Sequence, residues 1–371
     1  MGSTSFRVFF GDRPATVEEL ALIEAITVEQ EMEMAWEARI RMMLCLDDSG
    51  HWQHQSGEFA TPFARMRVEI KQGDGAFTPL IDGAVAGFTA EMSSSPGQSV
   101  VNLVVRDDSV LMNREEETEV FDEMVDSDLA LEMFSRFPTI PNTDVESTSN
   151  TAPVTVKRGT PIQFLRELAR VHGYMAYVLP GETPSQNIGC FRPPNTGTPS
   201  LEPLVLLGED RSLVDAEFTD DSEGQERTRA RSMRISDQQI ASAERSVQDQ
   251  TLLGALPQIS DDQTALRELP PTDSTREDPE AEADSQARRA SYSLKVAARV
   301  VPGCYDPILS PYQTVTIRAG DTAYSGDWLI HKVTHRITPS VYTQELQARR
   351  NAVTDTGAGG LLDLSAASGV F

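Results

Sequence analysis

Histidine, cysteine and paired carboxylates are the residue types that could do chemistry in this chain, and their spacing decides which of them can. His331 and His335 form an HxxxH spacing that would hold zinc on a helix, but they sit in WLIHKVTHRI, where apolar and polar residues alternate. That alternation predicts a strand, on which residues four apart share a face yet lie about 13 Å from each other, too far to share one zinc ion. His51 and His54 flank Trp52 and Gln53 between two strand-like runs, a solvated loop position. His172 falls on the last turn of a predicted helix, where a polar or cationic side chain suits the helix dipole. Cys45, Cys190 and Cys304 have no CxxC spacing and are expected as buried thiols, not as a disulfide framework or a zinc knuckle.

Nucleophile signatures are missing as well: there is no GxSxG and no Ser and His in a recognisable order. GAGG at 357–360 lacks the preceding strand and following Lys-Ser/Thr of a phosphate loop and reads as a linker. Carboxylates are so abundant that no pair stands out, and most are expected on a solvated face. The expectation is therefore of no catalytic, cofactor-binding or metal-ligating residues, and of a protein that is not an enzyme.

The charge balance excludes a further class. With 57 acidic against 32 basic residues the formal net charge is -25, and an acidic body repels the phosphates that a nucleic-acid surface must bind. Specific nucleic-acid binding is not expected. The charge serves solubility, or lines a channel negatively. No run approaches the roughly 20 apolar residues that span a bilayer, and MGSTSFRVFFGDRPA lacks the pattern of a signal peptide, so a cytoplasmic origin without a membrane anchor is expected. The 371 residues suffice for two or three compact domains.

The elements that would position these residues are mostly strands. From 26 to 44 the apolar residues take even positions (Ile26, Val28, Met32, Met34, Trp36, Ala38, Ile40, Met42, Leu44), while Glu29, Glu31, Glu33, Glu37, Arg39 and Arg41 take odd ones. One long strand, or two with a bend, follows, with a dry and a charged face. Met66, Val68 and Ile70 alternate with Arg65, Arg67, Glu69 and Lys71 ahead of the turn Gly73-Asp74-Gly75, and strands are expected at 79–92 and 99–113. Together they predict a β-barrel or sandwich over residues 1–113. The even-numbered methionines and Met92 are expected in the core, with Met43, out of phase, as a candidate intersubunit contact.

A helix is expected within 120–137, with Ser127 as a cap after Asp126. A better-marked one starts at Thr160, Pro161 and Gln163, a capping box with Pro at the first position, and stops at Gly173 before a strand at 174–178. Residues 219–291 contain no aromatic residue, and 240–278 read as a long acidic surface loop followed by a helix at 279–289. Residues 357–371 read as a flexible tail with an apolar end that could dock on a neighbour.

Several stretches carry a family likeness: TPIQFLRELARVHGYMAYV (160–178), SLVDAEF (212–218), YSGDWLIHKVTH (324–335) and YTQELQARRNA (342–352). With them the chain resembles the late-control D family, the tail-hub proteins of contractile phages and the N-terminal hub part of VgrG proteins. The resemblance implies a mainly β fold with small α/β insertions and two tube-protein-like β-barrel domains per chain, which form a trimeric ring with pseudo-sixfold symmetry. It implies a first barrel at 1–113, a helical and α/β connecting region at 114–200, a second barrel at 201–353 and a tail at 354–371. It further implies a structural baseplate hub that adapts a hexameric inner tube, or its initiator, to a trimeric spike and lines the central channel. The partners would be two further copies, the spike, the tube and other baseplate proteins, assembled in the cytoplasm into a virion or injection particle. A VgrG continues into a needle where this chain stops, so a separate spike protein is expected. A tail-tip cell-wall hydrolase and a receptor-binding or carrier module are the alternatives, with no acid/base pair for the first and only 6% aromatic content for the second.

Overall fold

The computed structural model describes residues 4–45, 61–95, 97–149, 154–233, 240–259, 262–270 and 279–355. His51, His54, the 357–360 glycines, the apolar tail and part of the acidic stretch lie outside them. The fold is mainly β: among the described residues there are one large curled sheet of 13 strands, four smaller sheets and few helices.

The 26–44 alternation becomes a hairpin of two strands, Ile23–Glu31 and Glu37–Met43, which turn at Glu33 in a left-handed conformation (φ 62°). The even positions are buried as expected, Val28 and Ala38 completely, but the turn carries Met34 out to 58% exposure. Met92, just past a strand end, is also exposed at 47%, against the expectation of a core position, while Met43 is half-buried. Strands Arg65–Gln72, Thr78–Glu91 and Val100–Asp107 follow in antiparallel pairing. The pairing path of this half stays open on the side of Ile23–Glu31, where the sheet runs on into strands from the last third of the chain.

Strands from the second half of the chain repeat the order of the first. Thr78–Glu91 pairs Val100–Asp107, which pairs Glu37–Met43, which pairs Ile23–Glu31; in the same way Gly326–Ile337 pairs Tyr342–Arg350, which pairs Leu294–Val300, which pairs Leu213–Asp220. The β-bulges repeat too. Registers shift between Val85 and Gly87 and between Ile330 and Lys332 on the one strand type, and between Ile23 and Ala25 and between Leu213 and Asp215 on the other. A bulge bends a strand and strengthens its twist, so the matching positions curl both strand sets alike.

Two apolar cores result. One is built on Ile26, Val28, Ile40, Met66 and Val68, the other on Leu294, Val315, Ile317, Trp328 and Ile330. A third lies between the helices and a three-stranded sheet, around Phe134, Leu165, Leu168 and Phe191. Helix Pro161–Val171 starts on the predicted capping box, and Gly173 ends it at φ 65°. Helix Asp126–Ser135 differs from expectation: Val125 is its N-cap and has no side-chain acceptor, and the Ser127 amide donates to Thr148 Oγ1 at 3.0 Å.

The 240–278 stretch is not one loop. Ile240–Arg245 pairs antiparallel with Glu226–Met233, Ala265–Glu268 pairs parallel with the same strand, and helix Pro279–Ser291 packs on them. Ala230, Ala243 and Ala283 form this small core, so close approach of alanines replaces the missing aromatics.

The Arg-Asn pair that ends strand Tyr342–Arg350 clamps a remote segment. The buried Arg350 guanidinium donates to the carbonyl oxygens of Leu253, Ala323 and Ser325 at 3.0 to 3.2 Å and lies over Trp328. Asn351 donates to the Thr251 carbonyl oxygen and accepts from the Leu253 amide, both at 2.9 Å. Arg350→Ala would take the Arg350 donor from the Leu253 carbonyl and leave those of Ala323 and Ser325 with their bonds from Thr354 alone; a loss of about 2 kcal/mol in urea unfolding is expected, with partial recovery in Arg350→Lys.

Candidate assembly surface

One strand, Gly326–Ile337, carries the junction between the two strand sets. On one edge it pairs with Tyr342–Arg350 from Leu329 to Ile337. On the other edge it forks: Gly326 to Leu329 pair with Thr314–Arg318, whereas Lys332 to Ile337 pair with Ile26 to Glu31 of the first set. His331 sits at the bulge between the two partners, and its carbonyl oxygen accepts the Met32 amide at 2.9 Å. Its Nε2 lies 2.7 Å from an Arg349 nitrogen and accepts from it, which fixes the proton on Nδ1. Burial, then the Arg349 charge, push this imidazole down to about 4.

His335 is fully buried at the seam itself. Gln30 Nε2 donates to the Leu80 carbonyl oxygen at 2.7 Å, which turns Gln30 Oε1 toward His335 Nε2 at 3.2 Å as an acceptor. Nδ1 is thereby left to accept the Tyr342 hydroxyl at 2.8 Å. The ring is neutral, satisfied at both nitrogens and held down to about 3 by burial. The HxxxH pair thus works across the seam between two sheets' worth of strands, with hydrogen bonds in place of a metal.

The solvent-facing side of the continuous sheet is polar across both sets. A single cross-strand row runs Asp215, Arg299, Glu345, Thr334, Glu29, Glu37, Arg106. Ion pairs tie it together: Arg299 with Asp215, Arg106 with Glu37 at 2.9 Å, and Lys332 with Glu29 at 3.1 Å and Glu31 at 3.2 Å. Each such exposed pair is worth about 0 to 1 kcal/mol, so their effect is on the surface's charge texture more than on stability.

Sequence alternation places Arg65, Arg67 and Glu69 on a charged, solvated face, and the structure contradicts this. Arg67 is 1% exposed and Glu69 2%. Arg67 pairs with Glu69 at 2.6 Å and Asp82 at 3.2 Å and donates to the carbonyl oxygens of Glu182 and Thr183 at 3.0 and 3.2 Å. Arg65 bridges Asp82 and the buried Asp108, Arg7 reaches Glu69, and Asn187 donates to Asp108 at 2.8 Å. The segment around 182–187 therefore covers this face of the strand. The only sequence signal was the matched number of Arg and acidic residues on facing strands, since the covering segment is more than a hundred positions away.

His172 is near the position expected, as the C-cap of its helix, and its Nε2 meets Asp126 at 2.6 Å, which ties the two connecting helices together. Cys190 is buried, and burial pushes its thiol up to about 12. Cys45 and Cys304 are exposed, contrary to expectation.

A pH prediction follows from the seam. His335 titrates at about 3 when folded and at 6.5 as its unperturbed value, so unfolding takes up a proton below 6.5 and its contribution, complete above that pH, is lost as pH falls toward 3. Denaturant unfolding across this window should show His335→Gln removing up to about 1.4 kcal/mol per pH unit of acid sensitivity. The comparison cancels Asp107, whose carboxyl burial pushes up to about 6.

The overall fold is similar to that of solved tail proteins. A tail protein from Neisseria meningitidis MC58 superposes with a TM-score of 0.65 at 11% identity, over 94% of this chain and 97% of its own. The 43 kDa tail protein of prophage MuSo2 from Shewanella oneidensis gives 0.64 at 13% identity, over 95% and 100%. The E. coli c3393 protein, a component of the type VI secretion system with structural similarity to the T4 bacteriophage tail proteins gp27 and gp5, gives 0.54 at 9% identity, over 88% and 73%. The sequence matches no protein-family model and no curated protein. At these identities the likeness is one of fold: the chain has the mainly β fold of phage tail and type VI secretion proteins.

Proposed function

We propose that the chain is the structural baseplate hub of a contractile tail or related injection particle, in which three copies adapt a hexameric inner tube to a trimeric spike and line the channel between them. The observation that carries this reading is the repeated strand order, two sets per chain in one sheet, joined by the forked strand Gly326–Ile337. Three copies of a doubled unit present six similar elements to a sixfold partner and three whole chains to a threefold one. In this reading residues 1–113 and 201–353 are the two tube-like domains, 114–200 connect them, 354–371 are a tail, and other baseplate proteins bind outside the ring. The particle is assembled in the cytoplasm.

The polar sheet face is the natural channel wall. Its acids Asp215, Glu37, Glu29 and Glu31 are paired with Arg299, Arg106 and Lys332, so the wall carries paired charges. Such a wall offers neither a basic track for phosphates nor an apolar patch for cargo. The hydrolase reading draws no support from the buried carboxylates Glu69, Asp82 and Asp108, each of which is bound by arginine.

Native mass measurement and electron microscopy of the chain, alone and with tube and spike proteins, test the reading. The expected result is a three-copy ring with threefold symmetry seated between tube and spike; a stable monomer that ignores both proteins would overturn it.

A further inference from the structure

The repeated strand order leaves one inequality. In the second set the far half of the forked strand, beyond the bulge, is covered by Ile23–Glu31. In the first set the equivalent strand is Thr78–Glu91. Its near half pairs with Arg65–Gln72, but beyond the bulge, from Gly87 on, no described strand covers that edge. At the opposite end of the sheet Leu213–Asp220, the equivalent of Ile23–Glu31, pairs with Leu294–Val300, and no described strand covers its outer edge.

The side chains match this vacancy. Counted from their bulges, Phe88, Ala90 and Met92 stand where Val333, His335 and Ile337 stand. The latter three are 0 to 2% exposed under their covering strand, whereas Phe88 is 41% and Met92 47% exposed. Two uncovered apolar residues on an open strand edge are what a missing neighbour strand would bury.

We propose that the Gly87-to-Met92 edge of one copy pairs antiparallel with the Leu213–Asp220 edge of a second copy, in the register of the seam inside each chain. The internal pairs Thr334 with Glu29 and His335 with Val28 set that register: Thr89 faces Thr219, and Ala90 faces Phe218, of the second copy. Phe218 already stacks on Tyr324 at 4.7 Å and so presents a braced apolar edge. The contact is heterologous, one edge type against the other, so each copy offers one of each and the assembly closes only as a ring or continues as a filament. Glu91 would face Glu217, a like-charge pair that limits affinity. The inference rests on the hub reading in taking the partner to be another copy of this chain.

Disulfide trapping tests it. In full-length protein with Cys45→Ser and Cys304→Ser, the pair Thr89→Cys and Thr219→Cys should convert on mild oxidation into covalently linked multimers on a non-reducing gel. Thr89→Cys with Asp215→Cys, four positions off register, should not. Phe88→Glu should shift the assembly to monomer while the monomer keeps the circular dichroism of the folded chain, and Glu91→Lys should tighten it. Multimers that cross-link only off register, or a chain that stays monomeric at high concentration, overturn the proposal. A ring that cross-links at 89 and 219 but ignores tube and spike leaves this contact standing and removes the hub reading; a tube- and spike-bound trimer without the cross-link does the reverse.

Discussion

A strand has two edges, and the fold depends on how one strand, Gly326–Ile337, uses them. One edge serves two partners on either side of the bulge at His331, closing the second strand set with Thr314–Arg318 and opening the way into the first with Ile26 to Glu31. A bulge bends a strand, and this one bends at the point where one neighbour on the forked edge ends and the other begins. The two cores are thereby held at one relative twist, because backbone hydrogen bonds across the seam are as directional as those within each set.

Polar groups buried at this junction make it specific. His335, Tyr342, Gln30 and the Leu80 carbonyl satisfy one another in a chain, and a register slip of one residue would face every one of these groups the wrong way. The cluster of Arg65, Arg67, Glu69, Asp82 and Asp108 plays the matching role behind the first set, where it fastens the 182–187 segment. Buried charges of this kind contribute little net stability when paired and cost about 3 to 5 kcal/mol when one partner is removed, so they fix geometry more than they add strength.

Much of the strand layout is legible in the sequence because burial on one face imposes alternation: Ile26 to Leu44 and Met66 to Ile70 show it, and Thr160-Pro161-Gln163 announces its helix through local capping alone. What depends on distant covering segments is not legible. Arg67 and Glu69 look solvated until residues near 182 lie over them, and Met34 follows the core phase although a turn lifts it out. His331 and His335 have a metal-like spacing, yet a bulge and a neighbouring Gln30 from three hundred positions earlier decide their roles. The 240–278 stretch looks coreless because alanines, not aromatics, pack there. The tail-protein likeness came from short motifs; Arg350 and Asn351 among them turn out to clamp the 251–253 segment.

Amide hydrogen exchange on the intact chain tests most directly whether the seam makes one sheet of two. If it does, the seam amides in 26–31 and 332–337 open only with the global free energy of unfolding, like those of Met66 to Ile70 and Val315 to Ile317 in the two cores. Seam amides that exchange at a clearly lower free energy, with both cores still protected, would mean two independent halves in contact and would contradict the account.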